Sequence, residues 1–182
     1  MSISTTKSTG NAYDQVLKSA IQLFTQQGYF NTSVPDILRV SGVSTGSIYH
    51  HFGDKEGIAR AIFDTLVERM EAEFSDIERG HETAEARCKA VIQRLFQITE
   101  EEPQVMAYML FVKHKEFMPD STPVCSSRPF TQMRKMVSDG MQAGELRSMD
   151  EMVSASSVFG GALRMMSLKL DSVLECPLED YL

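Results

Sequence analysis

The 182-residue sequence predicts an all-α protein: a three-helix head carrying a helix-turn-helix, followed by a larger helical body. Three observations carry that expectation. Apolar residues recur at helical spacing along nearly the whole chain, β-branched alternation is nearly absent, and the six prolines and eleven glycines are sparse. A chain of this length buries a sizeable core without disulfide staples. Its three cysteines, Cys88, Cys125 and Cys176, lack C-x-x-C spacing, so reduced thiols are expected rather than a disulfide framework or a zinc knuckle.

The first helix is read from about Ala12 to Gln27, where Val16, Leu17, Ala20, Ile21, Leu23 and Phe24 form one apolar stripe that Gly28 ends. Ser33-Val34-Pro35-Asp36 combines a cap, a first-turn proline and an acid three residues beyond the cap, which predicts a short helix over Val34 to Ser41. Gly42-Val43-Ser44 makes the turn into a third helix, Thr45 to His51, and two short helices so joined are the sequence form of a helix-turn-helix. Asp54 then caps a long helix from Lys55 to about Arg79. Further helices fit Thr83 to Thr99, Pro103 to Phe117, Arg128 to Ala143 and Met149 to Leu170, with Ser148 through Glu151 read as a capping box for the last. Pro177 to Leu182 has the proline and acids of another helix's first turn, so a truncated copy is expected. The expected divisions are a disordered arm at 1–10, a helix-turn-helix domain at 11–54 and a helical body at 55–182.

Charge is divided unevenly along the chain. Residues 1–55 sum to +1 and the remainder to −8, within a total of −7, so a near-neutral head precedes an acidic body. That asymmetry permits contact with a polyanion at one end. Eleven of the twelve methionines fall at Met70 or later. No apolar run is long enough for a membrane span, and Met1 to Gly10 lacks the apolar stretch of a secretory signal; a cytoplasmic protein without membrane contact is expected.

The head resembles the DNA-binding domain of the TetR (tetracycline repressor) family of bacterial regulators. The resemblance rests on Ala20, Leu23, Phe24, Gly28-Tyr29, Thr32-Ser33-Val34, Ile37, Gly42-Val43-Ser44, Gly46-Ser47-Ile48-Tyr49, His51-Phe52 and Lys55-Glu56. It covers about residues 12–60. Leu38 and Ser41 stand where the family usually has alanine, and Gly57-Ile58 replaces an acid followed by leucine; Gly57, in the first turn of the fourth helix, could soften that joint, although this is the less favoured reading. The resemblance implies a dimeric transcription regulator, a repressor released from a palindromic operator by a small hydrophobic or amphipathic effector. An activator, a regulator sensing oxidation through Cys125, and a helical interaction protein that no longer binds DNA stay open as alternatives.

A helix entering the major groove needs small residues at its leading end and side chains that reach bases and phosphates. Thr45, Gly46 and Ser47 meet the first need, Thr45, His50 and Ser47 are the candidates for base edges, and Ser44 joins the DNA-binding set. Tyr49 resembles a phosphate-contacting position of the family, and Thr32, Ser33 and Lys55 lie at helix N-termini that favour an anion. Ser33 and Ser44 are also helix caps, and Ile48 and Phe52 are core residues. His50 and His51, with Asp54 and Glu56 nearby, do not make a metal site, because neighbouring helical residues diverge by about 100°.

In the body, the apolar helix beginning at Pro103 is expected to be buried, with a ligand cavity around it. Its candidate lining is Met70, Phe74, Phe96, Met106, Tyr108, Met109, Phe111, His114, Met133 and Met136, methionine being able to repack around different shapes. Tyr108, His114 and Cys125 could orient a ligand, although the flanking Lys113 and Lys115 suggest that His114 is exposed. Ser154 through Ser157 and Gly160-Gly161-Ala162 allow close approach of another helix, which the resemblance makes the dimer surface. No nucleophile, base and orienter constellation, P-loop or zinc motif is visible, so neither an enzyme nor a cofactor is expected.

Overall fold

A computed structural model describes residues 12–121 and 123–182, so the arm expected at 1–10 lies outside the described residues. Every regular element among them is helical: α1 (Ala12–Gln27), α2 (Val34–Ser41), α3 (Thr45–Phe52), α4 (Lys55–Gly80), α5 (Ala84–Glu101), α6 (Pro103–Phe111), α7 (Arg128–Gln142), α8 (Glu151–Leu170) and three short 3-10 turns. The chain divides into two compact units between Ile62 and Phe63, partway along α4. No described helix is long and apolar enough to cross a membrane.

In the head, α1 packs on α2 and α3. Its apolar stripe supplies Val16, Leu17, Ala20, Leu23 and Phe24 to a core completed by Ile37, Ile48, Phe52 and Ile58. Tyr13 stacks on Phe52 with ring centroids 4.8 Å apart, which ties the start of α1 to the end of α3. The capping box of α2 forms as read: the Asp36 amide donates to the Ser33 hydroxyl, while the Ser33 amide donates to the Asp36 carboxylate. Gly42 ends α2 at φ 68°, in the left-handed region where a side chain is strained. Asp54 caps α4 by accepting from the Gly57 amide at 2.8 Å.

Gly57 does not loosen that joint. A Cβ there would lie 1.8 Å from the Phe52 carbonyl oxygen, so glycine is what lets α3 and α4 meet this closely.

In the body, α5 is the hub, packed by α6, α7, α8 and the C-terminal 3-10 turn. Gly140 of α7 makes one of these contacts tight: a Cβ there would lie 2.4 Å from Ala84 Cβ. Polar links then fasten α4 to its neighbours. Arg69 grips Glu102 with two bonds of 2.9 and 2.5 Å, Glu73 accepts from both Arg69 and Arg94, and Gln132 of α7 donates to the Glu71 carbonyl and Ser75 hydroxyl of α4. These guanidiniums hold Glu73 and Glu102 below the usual carboxylate range.

Two expectations are corrected here. α6 stops at Phe111 instead of running to Phe117, because Val112 turns to extended backbone at ψ 126° and a 3-10 turn, His114–Glu116, follows. α8 is capped by Asp150, whose carboxylate accepts from the Met152 and Val153 amides, not by Ser148. Pro177 is followed by a 3-10 turn, Leu178–Tyr181, anchored by the buried Leu178 side chain and by the Leu178 amide on Glu100.

Candidate nucleic-acid interface and ligand cavity

The exposed surface of α3 is built by what its core residues leave outside. Ile48 and Phe52 point inward, so Thr45, Gly46, Tyr49 and His50 form the open face, Tyr49 being 55% exposed and Ser47 only half-buried. Ser44 caps the helix by accepting from the Ser47 amide. Gly46 lacks any internal reason to be glycine: its φ is not positive and a Cβ would meet nothing within 4 Å. An exposed glycine inside a helix costs about 1 kcal/mol against alanine. What Gly46 leaves is room for an outside surface to approach the leading turn.

The expected phosphate contacts fare differently. Thr32 is 1% exposed, and its hydroxyl donates to the Gly28 carbonyl at 2.8 Å. Lys55 turns inward, donating to the carbonyls of Tyr29 and Thr32, both at 2.9 Å, with its ammonium 4.1 Å from the centre of the Tyr29 ring. Desolvation lowers its pKa accordingly. The Ser33 hydroxyl donates to Asp36 at 2.6 Å; this bond, with help from the Ser33 amide and Arg39, holds that carboxyl at about 2. Lys55 thus fastens the 29–32 turn onto α4, while the hydroxyls of Thr32 and Ser33 are engaged within the head by the Gly28 carbonyl and Asp36. Tyr49, Thr45, Ser47 and His50 remain on the outer side.

The body encloses a small cavity of about 20 Å³ lined by Met70, Phe74, Leu95, Met106, Met109, Leu110, Val124, Pro129, Phe130, Met133, Leu163 and Met166. Every lining side chain is hydrocarbon, aromatic or thioether. A space of this size holds at most about one water, so a larger guest must displace the walls. Five of them are methionines, which repack at low cost.

Five of the ten expected lining residues are there: Met70, Phe74, Met106, Met109 and Met133. The others are elsewhere. Phe96 borders a separate, more polar groove beside Glu100 and Glu179. Tyr108 and Met136 are fully buried outside the cavity, and Phe111 is 46% exposed. His114 is buried at 5% exposure, contrary to the reading from Lys113 and Lys115: its ring turns in among Phe63, Tyr108 and Phe117 while both lysines point out. Leu110 and Met166 were missed despite lying in apolar runs, Pro129 and Phe130 lie in the first turn of α7, and Val124 comes from the 3-10 turn before it. Of the cysteines, Cys125 and Cys176 are exposed, and burial pushes the Cys88 thiol up to about 11.

Residues 16–62 match the family model described as bacterial regulatory proteins, tetR family. A curated relative, the HTH-type transcriptional regulator HbdR of Aromatoleum sp. (strain CIB), is 37% identical over 78 residues, 42% of this chain and 34% of that protein. The match thus spans about a third of that relative's length. Among solved structures, the fatty acid degradation regulator FadR of Bacillus halodurans superposes with TM-score 0.80 at 19% identity, over 94% of this chain and 91% of that one. FadR of Bacillus subtilis, solved with stearoyl-CoA, does so with TM-score 0.70 at 19% identity, over 91% of each chain. At these identities the structural likeness is one of fold.

Proposed function

We propose, from the match of residues 16–62 to the model of bacterial regulatory proteins of the tetR family, that the chain is a sequence-specific DNA-binding repressor released by an amphipathic effector. The observation that carries the DNA reading is the outer face of α3. Gly46 has open space where a side chain would be, and Thr45, Tyr49 and His50 stand exposed beside it. A recognition helix with that face lets its leading turn come close to base edges while Tyr49 reaches a phosphate oxygen.

The effector reading rests on the cavity. Its lining offers no hydrogen-bonding side chain, so whatever enters must be apolar over its buried length, a polar group there being left without a partner. A flexible hydrocarbon tail fits this best, with any polar head remaining outside. The relative solved with stearoyl-CoA supports the same chemistry. The mechanism is a population shift: an effector that binds the non-DNA-binding conformation more tightly by ~5.5 kcal/mol turns a 99:1 equilibrium around.

A two-fold dimer is part of the proposal. Met152 and Val153 of α8 are each 55% exposed, and Ser156, Gly160 and Gly161 continue along the same helix, an apolar and small-residue strip suited to another helix. Such a dimer reads two half-sites ~34 Å or a multiple apart.

Fluorescence anisotropy on the DNA upstream of the protein's own and adjacent genes, against scrambled DNA at two salt concentrations, tests the reading. Tight, salt-sensitive binding to one palindrome that stearoyl-CoA or a free long-chain fatty acid reverses is the expected result. Equal weak binding to every DNA would overturn it in favour of a helical interaction protein.

A further inference from the structure

The turn that ends α6 holds a buried imidazole with one nitrogen unused. A helix leaves its last carbonyls without intrahelical donors, and Tyr108 of α6 is among these residues. His114 Nε2 lies 3.0 Å from the Tyr108 carbonyl oxygen. A carbonyl can only accept, so Nε2 carries the proton, and the neutral ring leaves Nδ1 as a bare acceptor. Nδ1 is buried and meets no donor among the described residues. The ring is boxed by Phe63 of α4 at 5.0 Å, Tyr108 at 4.8 Å and Phe117 at 6.0 Å between centroids. The backbone of the same turn depends on this residue, since the Met118 amide donates to the His114 carbonyl at 2.8 Å.

We propose that His114 is a proton-operated latch on the end of α6. Neutral, it caps the helix and pins the 112–118 turn against α4; protonated at Nδ1, it carries a buried charge and a donor with no acceptor, and the turn releases. Among the described residues, no facing charge offsets the burial of a proton on the ring. From α4 the contact is Phe63, from α6 it is Tyr108, whose phenol is the titratable group among these ring contacts, and Phe117 closes the third side. Charges in the same turn point away: Lys113 pairs with Glu116 at 3.2 Å and Lys115 donates to the Pro119 carbonyl at 2.8 Å. Among the described residues, no carboxylate acts on the ring.

Burial moves the imidazole below its ordinary 6.5, opposed only by the Tyr108 carbonyl. The folded form therefore prefers the neutral ring. Its contribution is complete above 6.5 and is lost as pH falls from there toward the folded value. Release also reaches the cavity wall. At about 100° per residue, Tyr108 lies opposite Met106 and Leu110, with Met109 at the side between them, so the cavity-lining face of α6 and its latch face are largely on opposite sides.

The test uses the full chain with neither DNA nor effector, and so stands apart from the reading of either. His114→Gln keeps a donor for the Tyr108 carbonyl and cannot titrate in this range. Hydrogen exchange of amides 112–118, corrected for intrinsic rate, should show protection falling by about tenfold or more between about pH 7.5 and about pH 5 in the parent chain and unchanged in the variant. Equal losses in both proteins would overturn the latch. Should the variant fail to fold, the parent's His114 ring, followed by NMR, decides: a midpoint well below 6.5 with loss of the 112–118 protection supports it, and a midpoint at or above 6.5 overturns it.

Discussion

Two helical glycines in the head have opposite reasons for being glycine. Gly46 faces open space, so Gly46→Ala should stabilise the head by about 0.5–1 kcal/mol in urea unfolding while weakening operator binding, because the added methyl occupies the approach to DNA. Gly57 is fixed by the fold, since a Cβ would collide with the Phe52 carbonyl; Gly57→Ala should cost about 2 kcal/mol or more by the same measurement. Sequence alone marks both as unusual inside helices and cannot say which faces outward. Lys55 teaches the same lesson. Its place at the head of α4 suggests a phosphate contact, yet its ammonium is used up on two carbonyls and the Tyr29 ring. Lys55→Ala should therefore lower head stability by about 1–2 kcal/mol. Unchanged stability with a shallower salt dependence of DNA binding would return Lys55 to the interface.

Helix limits show where local patterning is sufficient. α2 lies where its cap, proline and acid place it, because every partner in a capping box is within three residues. α8 departs from that rule: Ser148 and Asp150 both offer capping oxygens, and Asp150 is the one whose oxygen meets free amides. Asp150→Ala should cost about 1 kcal/mol in thermal unfolding, and Ser148→Ala should stay within about 0.5 kcal/mol. α6 ends six residues early for a reason that local propensity does not contain. Apolar periodicity continues through Val112, but the chain leaves the helix so that His114 can turn back onto the Tyr108 carbonyl within a ring box that includes Phe63, distant in sequence.

Across the whole molecule, ionisation predicts two separate stages of acid destabilisation. His114 favours its neutral form when folded, so stability declines first as pH falls below 6.5. Glu73 and Glu102, held low by Arg94 and Arg69, and Asp36, held at about 2 by Ser33 and Arg39, add stability that is present above their ordinary values and lost as pH falls through their folded ones. Urea midpoints measured down the pH scale should show an initial decline that His114→Gln removes and a later one, below 4.5, that it leaves in place. A single transition shared by both proteins would contradict this ordering.

The sequence by itself determined the all-helical class, the boundaries of α2 and the composition of a sulfur-rich body, because helical periodicity, caps and methionine content act through near neighbours. It also carried the family resemblance of the head, since the residues that match the tetR family model over 16–62 fall in one fixed register. Only the tertiary structure decided which side chains are available. It turned Thr32 and Lys55 inward, left Gly46 and Tyr49 outside, placed Met70 and Met133 on one cavity and Phe96 on another surface, and buried His114 between two exposed lysines. Each of those outcomes depends on what a distant segment brings alongside, such as Phe63 against His114 or Tyr29 against Lys55, and spacing along the chain carries no record of it.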